Sequence, residues 1–234
     1  MTFKKALYKP GVGFILFMLT ILRFTCLSVF SQTPTKDITA LGKTPADFIP
    51  KGYTTLFSKK GDLNKDQKED IVLVLKNMAE DKPEGIIKYS RILLILFKTD
   101  LGYRLAAKTE KLLLCNTCGF EPARFEESNL LIKNGSLMLS QHGGQTQQWT
   151  AARIFRYQDG DFYLIGKRDE ITANWSNNPC ENSSTGSSTD INLLTGDRII
   201  IETDDDCKTT NKRDKIKRMP LVKMTDVDLN TELQ

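Results

Sequence analysis

From residue 52 onward the chain alternates short apolar runs with tight polar breaks. "GYTTLFSKK" (52–60) leads through an acidic loop into "DIVLVLK" (70–76), and "YSRILLILFK" (89–98) turns at "TDLG" into "YRLAAK" (103–108) and "KLLLC" (111–115). "NLLIK" turns at Asn134-Gly135 into "SLMLSQ", and "ARIFRYQ" turns at Asp159-Gly160 into "DFYLIGKR". Asn-Gly and Asp-Gly supply the positive φ angles that two-residue hairpins need. "DINLL" turns at Thr195-Gly196 into "DRIIIET". The runs "IVLVL" (71–75) and "ILLILF" (92–97) are apolar at every position, which predicts central strands covered on both faces. Helix signals are short, at "TPADF" and "PARFEES". The pattern predicts a mainly β chain with few short helices. It forms a single antiparallel β domain over residues 49–228, built as a sandwich, an open barrel or a twisted meander. "CENSSTGSST" (180–189) reads as an exposed excursion.

The first 31 residues differ in kind. "MTFKKALYKP" carries Lys4, Lys5 and Lys9 without an acid, and an apolar run follows from Gly11 to Leu22. A basic segment, a short apolar core and a small-residue exit predict a signal peptide over 1–31, cleaved before Gln32. A spanning anchor is the rival, but it wants about 20 apolar residues, and Arg23 interrupts this run. Lipidation at Cys26 would need a better-formed lipobox than Arg23-Phe24-Thr25. The expectation is an exported protein, periplasmic, cell-surface or secreted, with a tether over 32–48 and no stable membrane span after processing.

Processing changes the charge picture. The segment holds four bases and no acid, so 33 Lys and Arg less these four leaves 29, against 29 Asp and Glu. A neutral remainder gives no net-charge ground for binding nucleic acid or an anionic membrane, and no nucleic-acid partner is expected. "KTTNKRDKIKR" (208–218) is a local basic exception and reads as a solvated, partly mobile loop.

With Cys26 removed, Cys115, Cys118, Cys180 and Cys207 remain. An even count in an exported chain reads as disulfides, and the favoured pairing is Cys115–Cys118 with Cys180–Cys207. A redox-active Cys115-x-x-Cys118 and a four-thiolate zinc site are the alternatives.

Candidate chemistry centres on "GDLNKDQKEDIVLVL" (61–75). Counting Asp62 as position 1, oxygens fall at Asp62, Asn64, Asp66 and Asp70, with the Lys68 carbonyl between them. Such spacing can wrap a hard cation such as calcium, which takes six to eight oxygens. The loop resembles the calcium loops of FG-GAP and VCBS repeats (the integrin α-chain type), where D-x-[DN]-x-D-G-x-x-D leads into a strand. It is also similar to the first half of a dockerin loop. The chain departs from that pattern at Gln67, where those families place Gly. A polar hairpin loop with Lys65 and Lys68 as counterions is the alternative. The wider frame ("CNTCG", "KNGSL", "GGQTQQWTAARIFRYQDGDFYLIG") resembles exported bacterial proteins of no assigned activity. The resemblance implies architecture, compartment and a structural calcium.

Signals for catalysis are sparse. His142 is the only histidine, and no G-x-S-x-G elbow or phosphate-cradling glycine loop is present. "QHGGQTQQW" offers His142, Gln145 and Trp149 as a hydrogen-bonding loop with an aromatic platform, and Trp175 lies in "TANWSNNPC". A surface for a glycan, a peptide or an envelope component follows from these residues. The leading reading is a non-catalytic binding or envelope-associated protein. The alternative is a secreted hydrolase or a thiol–disulfide oxidoreductase using Cys115 and Cys118.

Overall fold

Twelve strands form two antiparallel sheets in the computed structural model, which describes residues 37–81, 88–115, 118, 126–144, 147–173, 180 and 185–229. The expected signal peptide, Gln145 and Trp175 lie outside the described residues. The smaller sheet has the order β1-β5-β4-β3-β2: β1 Leu41–Gly42, β2 Tyr53–Gly61, β3 Asp70–Asn77, β4 Ile92–Thr99 and β5 Gly102–Thr109. The larger sheet is a meander in chain order, running from β6 to β12. Its strands are β6 Leu130–Lys133, β7 Ser136–Gly143, β8 Gln147–Gln158, β9 Asp161–Ala173, β10 Gly186–Asn192, β11 Asp197–Thr203 and β12 Thr209–Lys215. No barrel closes. The sheets share a core, which decides for the sandwich-like arrangement over the open barrel. No helix among the described residues is long and apolar enough to cross a membrane.

The two wholly apolar runs behave as their composition demands. Successive strand residues point to opposite faces. Val72, Val74, Leu93, Ile95 and Phe97 enter the core between the sheets, with Leu137, Leu139, Phe155, Phe162 and Leu164 opposite. Ile71, Leu73, Leu75, Ile92, Leu94 and Leu96 face the other way and are buried against Phe48, with Ile38, Ile49, Tyr53, Tyr103 and Leu105 around them. The described part of the segment read as a tether, residues 37–48, is therefore part of the cover. β1 pairs with β5, and a 3₁₀ turn over Pro45–Phe48 seats Phe48 at 1% exposure. That turn is the "TPADF" helix signal, closed by Asp47, whose Oδ2 accepts the Lys43 and Thr44 amides at 2.7 and 2.9 Å.

Both hairpin signals are realised. Asn134-Gly135 joins β6 to β7 with φ of 54° and 71°, and Asp159-Gly160 joins β8 to β9 with φ of 52° and 84°. Three sequence expectations change. "KLLLC" is no strand but an irregular buried segment. The Gln141 side chain holds it as a strand neighbour would, accepting from Leu114 N–H at 2.7 Å and donating to Leu112 C=O at 2.8 Å. Residues 186–189, read as part of a loop excursion, begin β10. Residues 209–215, read as a mobile loop, form edge strand β12, hydrogen-bonded to β11 along its whole length. Period-2 reading misses β12 because an exposed edge strand carries no apolar face.

Candidate functional site

Both disulfides join the favoured pairs, Cys115–Cys118 with Cα atoms 5.0 Å apart and Cys180–Cys207 at 5.5 Å. Their alternative roles as zinc thiolates do not arise while the sulfurs are bonded. Cys115 is buried and Cys118 partly exposed. Cys207 sits in the turn between β11 and β12 at φ 63°, where it donates its amide to Asp204 C=O at 2.9 Å.

The loop from Asp62 to Asp70 is wound by its own carboxylates. Asp62 Oδ1 accepts the Lys65 and Asp66 amides at 2.6 and 3.2 Å, and its Oδ2 accepts the Gln67 amide at 2.9 Å. Asn64 Oδ1 accepts Asp66 N–H at 3.0 Å, and Asp66 Oδ1 accepts Lys68 N–H at 2.8 Å. Asn64 Nδ2 donates to Asp66 Oδ2 at 3.1 Å. Lys65 and Gln67 adopt φ of 65° and 66°, both in the left-handed region that favours glycine. A non-Gly residue in that conformation costs about 1 kcal/mol.

Two anchors fix the loop to the core. Leu63 enters the inter-sheet core at 1% exposure. Asp70 has no solvent exposure and receives two backbone amides, Leu63 N–H on Oδ2 and Lys98 N–H on Oδ1, each at 2.9 Å. Burial raises its pKa above the ordinary carboxylate value despite those bonds. Lys68 extends its ammonium to Asp100 at 2.6 Å, away from the loop's own acids.

The donor set is oxygen only, as a hard cation requires. Asp62, Asn64, Asp66 and the Lys68 carbonyl are its accessible members. Asp70 would join only through the lone pairs that its two amide bonds leave. Among the described residues, no three acidic, histidine or cysteine side chains converge as a ready metal shell. In the structure the loop's shape is held by these side-chain-to-amide bonds.

The aromatic site lies elsewhere, on the inner face of the larger sheet beyond the apolar core. Directly paired residues share a face. Arg153 pairs with the core residue Leu139, Ala151 with Gln141, and Trp149 with Gly143. The neighbouring strand continues the same face with Lys167, Asp169 and Ile171. Together they line an open depression of about 630 Å³. Its floor is set by Arg153, only 2% exposed, whose Nη1 donates to Asp169 Oδ1 at 2.6 Å and to Ala152 C=O at 3.0 Å. Its rim is Trp149 and Ile171, the latter 47% exposed. Gly143 is required there: a Cβ would sit 2.7 Å from Trp149 Cζ2.

His142 does not join this site. It pairs with Thr150, one position out of phase with Trp149, so it projects from the opposite, outer face and is exposed. Sequence reading grouped the two because they lie seven positions apart, without the register that separates their faces. It also passed over Arg153, Lys167 and Asp169. The available signal was parity: in "ARIFRYQ" the arginine at 153 shares the face of Phe155 and Tyr157, a charged group where alternation demands an apolar one. Comparison of the chain with family models, with curated proteins and with solved structures finds no match in any of the three.

Proposed function

We propose that this is an exported, non-catalytic binding protein whose recognition surface is the Trp149 depression. The observation that carries it is the indole laid over Gly143 beside buried Arg153 and its half-exposed partner Asp169. An aromatic face gives apolar contact area at low entropic cost, and a charged pair fixed nearby gives directional hydrogen bonds. That combination suits a glycan or a short peptide of the envelope. We propose further that the loop from Asp62 to Asp70 takes calcium in a structural role, which would draw its three accessible oxygen-bearing side chains together. The left-handed Lys65 and Gln67 support this, as does the resemblance of the loop to FG-GAP and VCBS sites.

The test is fluorescence titration of the Trp175→Phe protein, in which Trp149 is the remaining tryptophan, with panels of envelope oligosaccharides and short peptides. A saturable change that is lost in Arg153→Met supports the reading. No saturable change with either class contradicts it, and cleavage of the titrant would favour the hydrolase alternative.

A further inference from the structure

The basic stretch at 208–218 has no part in either site, yet the structure holds it in order. Six bases (Lys208, Lys212, Arg213, Lys215, Lys217, Arg218) stand against one acid, Asp214. Asp214 is taken by a bidentate bond from Arg198, at 2.8 and 2.7 Å, and Lys215 is taken by Asp197 at 3.0 Å. Among the described residues no carboxylate pairs with Lys208, Arg213, Lys217 or Arg218. The bases of β12 and the two that follow it are exposed. The acids Asp204, Asp205 and Asp206 lie at the other end of this seven-residue strand. Seven residues span roughly 20 Å, more than twice the Debye length of about 8 Å at physiological ionic strength. The strand end at Lys217 and Arg218 is therefore electrostatically separate from those acids.

An apolar step adjoins this end. Met219 is 69% exposed and Val222 45% exposed, directly after Lys217-Arg218. Among the described residues β12 is also the edge of its sheet, and no strand of theirs pairs with its outward backbone amides.

We propose that the edge of β12 and the segment Lys217–Val222 dock on an anionic lipid surface. Lysine and arginine would meet headgroup phosphates, and Met219 and Val222 would enter the interfacial layer. Charge complementarity sets the sign of the partner, and the exposed apolar pair favours a bilayer over a soluble polyanion. An added peptide strand fits less well, because "TTNKRDK" offers no apolar face to bury against it.

The experiment is vesicle flotation of the processed chain, with phosphatidylcholine vesicles containing about one third phosphatidylglycerol, against phosphatidylcholine alone. Each basic residue near an anionic surface contributes roughly fivefold in affinity. The triple variant Arg213→Ser, Lys217→Ser, Arg218→Ser should thus bind on the order of 100-fold more weakly. Arg213→Lys, Lys217→Arg, Arg218→Lys should bind as the parent does, which separates charge from any change in folding. Met219→Ser should lose a further several-fold that raised salt does not reproduce. Equal binding by parent and triple variant, or no preference for the anionic vesicles, overturns the proposal. Stronger capture by soluble polyphosphate than by vesicles, with Met219→Ser unchanged, overturns the lipid assignment in favour of a polyanion.

Discussion

Replacing Asp70 by alanine probes the junction between the acidic loop and the core. Its two oxygens are the acceptors for Leu63 N–H and Lys98 N–H, and the side chain has no solvent exposure. Alanine leaves both amides without that acceptor. A buried donor left unmade costs about 1–3 kcal/mol, so the pair costs roughly 2–6 kcal/mol. In a domain of this size 1 kcal/mol corresponds to about 2–4 °C, so the melt should fall by roughly 4–24 °C. Asp70→Asn retains one carbonyl oxygen and should fall about half as far. Asp62→Ala frees amides in a loop that water reaches, so it should cost less than Asp70→Ala. Calorimetric melts of the three variants in one buffer check this order. A melt for Asp70→Ala within about 2 °C of the parent would refute the account of Asp70 as a buried double acceptor.

The same carboxylate predicts a pH dependence. Its folded pKa is raised by burial, so the folded chain holds the proton more tightly than the unfolded one. The stability of the parent relative to Asp70→Asn should be greatest below the unfolded value near pH 4 and decline as pH rises through the folded value; denaturant titrations that show the opposite slope would reverse the sign of the shift. Gln141→Leu removes both bonds to Leu112 and Leu114, and should lower stability by about 2–5 kcal/mol in urea unfolding. Opening Cys180–Cys207, which closes a sequence separation of 27, by serine substitution at both positions should cost about 3–4 kcal/mol in the chain-entropy picture. Peptide mapping of the oxidised parent should recover both disulfide-linked pairs, and four alkylated thiols would contradict them.

Legibility of the fold followed burial. "IVLVL" and "ILLILF" announced two covered faces because both parities had to be apolar, and the structure supplies a different cover for each. The hairpins at Asn134-Gly135 and Asp159-Gly160 were readable because left-handed φ restricts residue choice so strongly. β12 was hidden for the converse reason: its stability comes from backbone bonds to β11, which leave no mark on side-chain pattern. "KLLLC" looked like a strand because burial alone sets its composition, while its hydrogen bonds come from Gln141, 27 and 29 positions away. For the candidate sites, the oxygen spacing of the acidic loop was visible, but the capture of both Asp70 oxygens by backbone amides was not. The separation of His142 from Trp149 depends on strand register, which a single sequence leaves open across the Gly-Gly turn.

Calcium-dependent stability tests the acidic loop most directly. If Asp62, Asn64, Asp66 and the Lys68 carbonyl take calcium in the folded chain only, a site of about 10 μM affinity in about 1 mM calcium gains roughly 2.7 kcal/mol. That is a rise in melting temperature of about 5–10 °C over chelator, with much less from magnesium, which resists dehydration and demands a stricter octahedron. Asp66→Ala should abolish the response, and Gln67→Gly should keep or strengthen it. A parent melt that is the same in chelator and in millimolar calcium would contradict the calcium site and leave the loop as a polar turn ordered by its own amides.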